Sequence, residues 1–126
     1  MSLDIYLYDP ILKTRTCVCT FCSNEYKEEY TGLLWHKNIT HNLAMMASEA
    51  GIYQNLWHPE TIPISYASEI EPHLQQAIIT LAKDPEKFKR FNPENGWGSY
   101  HTLMKFIVEY HDACMKYPYA EIKICR

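Results

Sequence analysis

Apolar and polar residues alternate at both ends of this chain and repeat at helical spacing in between. Residues 3–8, "LDIYLY", alternate as a strand does, and Asp9-Pro10 ends the pattern. Residues 14–21, "TRTCVCTF", and 25–30, "EYKEEY", predict a hairpin turning at Ser23-Asn24. Residues 120–125, "AEIKIC", alternate again, so strands from both chain ends can share one sheet.

The middle of the chain changes period. Ile39, Leu43, Met46, Ala47 and Ala50 form an apolar stripe that predicts a helix closed by Gly51. Ser68 and Glu71 have capping-box spacing ahead of a second stripe, Ile70, Leu74, Ala77, Ile78 and Leu81. Asp84-Pro85 opens a short helix that ends by Asn92-Pro93, and a last helix runs from Ser99 to about Lys116. The expected fold is α+β: one domain over 1–126, its small antiparallel sheet packed against three or four helices. Residues 14–37 would be a cysteine-bearing hairpin insertion.

Composition narrows the function classes. With 126 residues, 47% hydrophobic and 21% charged, the chain suits one soluble globular core. No run of 18 apolar residues predicts a membrane span, and MSLDIYLYDP lacks the basic, then apolar, start of a signal peptide. Cytoplasmic residence is the expectation, which also discounts the sequon Asn38-Ile39-Thr40. Residues 1–63 hold four Lys/Arg and seven Asp/Glu, and residues 64–126 hold eight of each. That balance disfavours nucleic acid as a partner. "KFKRF" at 87–91 could stack bases on its two phenylalanines, but it fits a short helix with those rings turned inward better.

Five cysteines are an odd number, and Cys17, Cys19 and Cys22 crowd together. Cys19-x2-Cys22 precedes His36-x4-His41 by thirteen residues, the spacing of a Cys2His2 zinc site. Cys17 could replace one histidine in a Cys3His set. Soft thiolates and imidazoles suit tetrahedral zinc, and four protein ligands would make the ion structural. The alternative is that these cysteines are small hydrophobes on strands.

"NITHN", residues 38–42, gathers Asn38, Thr40, His41 and Asn42 at an expected helix start, where free N–H groups favour a cap or an anion. "NITHNLAMMASEAGIY", "LWHPE" and "FNPENGWGSY" together resemble a set of small uncharacterised proteins of bacteria and their phages. Those proteins share N-I-T-H-N-L and N-P-x-N-G-W-G-S/T-Y blocks. The resemblance spans about residues 38–126 and implies a shared fold and a common site, without an activity.

"NPENGWGSYH", residues 92–101, is the other unusual stretch. Gly96 and Gly98 permit positive φ on either side of Trp97, and Ser99 suits the cap of the last helix. A turn needs no tryptophan, so Trp97 either plugs the core or walls a pocket with Asn95, Ser99 and Tyr100. Three functions follow from these residues. The first is a module binding a polar or anionic small ligand through Asn38, Thr40, His41, Asn42, Asn95, Trp97, Ser99 and Tyr100. The second is a protein-interaction module stapled by zinc, with a host factor as partner if it is phage-derived. The third is an enzyme with His41 as general base, although no known catalytic motif accompanies it.

Overall fold

The computed structural model describes residues 2–11, 13–30 and 32–126. Strand β1 (Ser2–Tyr8) lies at the centre of a three-stranded antiparallel sheet, between β4 (Leu33–Thr40) and β5 (Glu121–Cys125). Its alternation decides the two faces. Leu3, Ile5 and Leu7 are completely buried, and each such side chain contributes about 1.5–3 kcal/mol of burial free energy. Their partners on β4 are Ile39, Lys37 and Trp35. Trp35 stacks on Tyr110 at 5.1 Å, and Lys37 reaches Glu109 at 2.7 Å. The opposite face carries Ser2, Asp4 and Tyr6 beside Thr40, Asn38 and His36.

Helices cover the inner face. After a short 3-10 turn at 41–43 come α1 (Ala44–Glu49) and α2 (Tyr53–Trp57), then the two long helices α3 (Ala67–Lys83) and α5 (Tyr100–Lys116), with the short α4 (Pro85–Lys89) between them. The α+β architecture, with a sheet drawn from both chain ends, is as the alternation predicts. The stripe of α3, Ile70, Leu74, Ala77 and Leu81, is buried against Leu103, Ile107 and Tyr110 of α5 within one core. Phe88 of α4 is buried in the same core, and Phe91, the other aromatic of "KFKRF", packs against it partly buried. Among the described residues, no helix is long and apolar enough to cross a membrane.

Two local expectations are corrected. Residues 33–40 are a strand, not the approach to a helix, because pairing with β1 gives their backbone groups partners along the whole segment. Ile39 is therefore buried from a strand, and the stripe passes to the helix only at Leu43. The α3 cap lies two residues earlier than Ser68-Glu71 predicts. The Glu69 carboxylate accepts the N–H groups of Ser65 and Tyr66 at 3.0 and 2.9 Å. Ala67 and Ser68 then donate to the carbonyls of Ala120 and Pro118, tying the helix start to the segment before β5.

The expected hairpin is present as β2 (Lys13–Val18) and β3 (Glu25–Tyr30), a separate two-stranded sheet inserted in sequence between β1 and β4.

Candidate functional site

Thr40 ends β4 and begins the next turn, its Oγ1 accepting the N–H of Asn42 at 3.3 Å. Loop 90–99 lies directly behind it. Gly98, at φ +99°, is so close that a Cβ there would stand 2.9 Å from Thr40 Cγ2 and 3.1 Å from Leu43 Cγ. Gly96 also has positive φ, +76°, and Asn95 Oδ1 accepts the N–H of Trp97 at 2.9 Å. Both glycines and the Asn95 turn thus fix the backbone on either side of Trp97. The indole is held outward, 71% exposed, which overturns the core-plug alternative for this residue.

A cavity of about 390 Å³ opens beside that indole, lined by Ser2, Asn38, Thr40, Asn42 and Trp97. The structure therefore brings residues of both polar blocks to one place. Ser2 is the addition that sequence reasoning missed. It enters because it stands opposite Thr40 in the β1–β4 register, which the unrecognised strand concealed.

Polar groups in the cavity are partly engaged. Asn38 Nδ2 donates to Ser2 Oγ at 2.7 Å and to Asp4 Oδ1 at 3.0 Å, which orients the amide oxygen of Asn38 as an acceptor. His36 Nε2 lies 3.2 Å from the same Asp4 oxygen, and its ring stacks on Tyr6 at 4.5 Å. Hydrogen bonds from Asn38 and then His36 hold the Asp4 carboxyl below its ordinary value. Asn42 also lines the cavity.

Asn38 also lines a second, adjoining cavity of about 370 Å³ with Lys37, His101, Thr102, Lys105 and Phe106. Glu109 sits 2.7 Å from Lys37 Nζ and 4.0 Å from Lys105 Nζ, so the two ammonium groups share one carboxylate. One positive charge is left over.

The remaining expected ligand residues have structural tasks. Ser99 Oγ caps α5 by accepting the Thr102 N–H at 3.3 Å. Tyr100 is buried, its hydroxyl donating to the Leu81 carbonyl and its N–H to Asn92 Oδ1, each at 2.8 Å. His41 turns away to receive the Trp57 indole N–H on Nδ1 at 2.8 Å. That bond occupies the Nδ1 lone pair. His58 bridges Tyr53 and Arg126, and His111 meets Glu71 at 2.7 Å between α5 and α3.

The cysteine and histidine set is spread over four places along the fold. Cys17 is on β2 opposite Tyr26, Cys19 and Cys22 are in the hairpin turn, and His36 and His41 have the partners just described. Among the described residues, no three His, Cys, Asp or Glu side chains stand close enough to hold a metal ion together.

No protein-family model, curated protein or solved structure matches the chain.

Proposed function

We infer that the chain is a module that binds a small, planar, polar ligand against Trp97. The observation that carries this reading is the pairing of a fixed, outward indole with a row of amide and hydroxyl groups around one cavity. Leaving an indole in water forgoes about 2 kcal/mol of burial, and the flat face of a bound ring restores part of it. The edge of that guest would meet the Asn38 carbonyl, the Asn42 amide, and the hydroxyls of Thr40 and Ser2. Few convergent polar groups beside one apolar wall is the usual make-up of a small-molecule site.

Charge extends the reading to anionic ligands. Asp4, held ionised by its donors, disfavours a negative group at the Ser2 end. Across Asn38, the Lys37 and Lys105 side accepts one. A heteroaromatic ring on Trp97 with a carboxylate or phosphate directed toward Lys105 satisfies both cavities.

Acrylamide quenching of tryptophan emission tests this. Trp57 is buried and Trp35 half-buried, so Trp97 supplies most of the quenchable signal. Nucleosides and nucleoside monophosphates, taken as planar polar probes, should shield that signal, the monophosphates at lower concentration. Unchanged quenching across the panel, at millimolar probe, would contradict binding of this class.

A further inference from the structure

β4 is an outer strand of its sheet, paired with β1 on one side. The register decides what its other side presents. Ile122 of β5 donates its N–H to Ser65, away from β1, so the Leu7–Ile122 pair is not hydrogen-bonded and Leu7 bonds β4 instead. Alternation carries this along the ladder. Trp35, Lys37 and Ile39 bond β1, and the backbone groups of His36 and Asn38 turn to the outer edge.

Helix α5 runs beside that edge. Two cavities, of about 370 and 340 Å³, lie along it between strand and helix. The first has Lys37 and Asn38 on the strand side, with His101 and Lys105 across from them. The second has Leu34 and Trp35 on the strand side, with Asp112, Lys116 and Tyr117 across. Their chemistry differs. Lys37 and Lys105 share the Glu109 carboxylate, at 2.7 and 4.0 Å, and the Lys105 side chain is 73% exposed. In the second cavity Asp112 and Lys116 offset one another, and Leu34, Trp35 and Tyr117 supply half-buried apolar surface.

We propose that this groove takes an extended peptide of a partner protein, added to β4 as an antiparallel fourth strand, with an acidic residue two positions before an aromatic one. The acidic side chain stands opposite Lys37, in the closer, non-hydrogen-bonded kind of pair, and brings a second carboxylate to the two ammonium groups. Two residues on, the same face sets the aromatic ring against Trp35. Bonds to the His36 and Asn38 backbone hold the strand, and the two side chains select it. Charge disfavours a second copy as the occupant. Two β4 strands paired about their middle would set each Lys37 near the other, and like charges there oppose pairing. Trp97 takes no part, so this surface stands or falls apart from the ring site.

The probe is a dye-labelled, capped peptide, TTETFTS, followed by anisotropy and by ¹H–¹⁵N NMR of the full chain. Saturable binding is expected, with shifts of the His36 and Asn38 backbone amides and none of the Trp97 indole. Exchanging the peptide glutamate for lysine, or Lys105→Glu in the chain, should weaken binding roughly fivefold, and the two changes together should restore it. Methylating the N–H of the threonine between glutamate and phenylalanine should abolish binding, because that amide pairs with His36. Methylating the phenylalanine N–H, which faces away from β4, should not. Trp97→Ala should bind the peptide as the wild type does. Equal binding of the two methylated peptides, shifts centred on another surface, no saturation at millimolar peptide, or a chain that dimerises through β4 would each overturn the proposal.

Discussion

Gly98 and Thr40 pack so closely that no room is left for a methyl group: a Cβ on Gly98 would lie 2.9 Å from Thr40 Cγ2. This contact joins the loop that carries Trp97 to the end of β4, and it predicts a graded pair of mutants. Gly96→Ala meets nothing within 4 Å and should lose only the left-handed backbone preference, about 1–2 kcal/mol. Gly98→Ala adds the clash and should be less stable than Gly96→Ala in urea denaturation. Equal losses would mean that the loop does not rest on Thr40.

Tyr110 is completely buried, and its hydroxyl has no hydrogen-bond partner among the described residues. Its ring is well used against Trp35 and Phe106. An unsatisfied buried hydroxyl costs about 1–3 kcal/mol, so Tyr110→Phe should keep the packing and match or exceed wild-type stability. Thermal unfolding checks this, and a marked drop in Tm would show that the hydroxyl is bonded.

How far could this site be read from sequence? The alternation at 3–8, the hairpin and the stripes of α3 and α5 were legible because each has one period throughout. β4 was not. Ile39 and Leu43 are four apart, which imitates a helix, yet the chain changes from strand to helix between them at Thr40. Losing that strand hid Ser2, whose place opposite Thr40 exists only through pairing. Asn95, Ser99 and Tyr100 were visible as a polar group, but a side chain that caps a turn and one that faces a ligand look alike in sequence. Trp97 became distinguishable only once its exposure was known.

Asp4 gives a pH prediction. Its folded carboxyl is held below the ordinary value, chiefly by the Asn38 amide and then by His36. A depressed carboxyl contributes stability that is present above its unfolded pKa and lost as pH falls through the folded one. Asn38→Ala should therefore raise the Asp4 pKa toward the ordinary range, as followed by carboxyl NMR titration. It should also bring the acid loss of stability to higher pH. An Asp4 titration that ignores Asn38 would place the amide elsewhere.

The thiols should separate sharply in reactivity. Burial within α5 pushes Cys114 up to about 12, while backbone donors hold Cys19 below its ordinary value. At neutral pH the Cys114 thiolate fraction is on the order of 10⁻⁵, so iodoacetamide should label Cys19 well before Cys114 in the native chain. Peptide mass mapping over time reads the order directly, and early labelling of Cys114 would contradict the packing of α5.

The central claim is that Trp97 and the end of β4 form one binding site. Its most direct test is a ¹H–¹⁵N NMR titration of the chain with adenosine and then adenosine monophosphate. The account predicts saturable shifts of the Trp97 indole and the Asn38 and Asn42 side-chain amides, joined by Lys37 and Thr102 backbone signals for the monophosphate. Trp97→Ala should abolish them with the rest of the spectrum unchanged. Shifts that centre on other residues, or that survive Trp97→Ala, would contradict it.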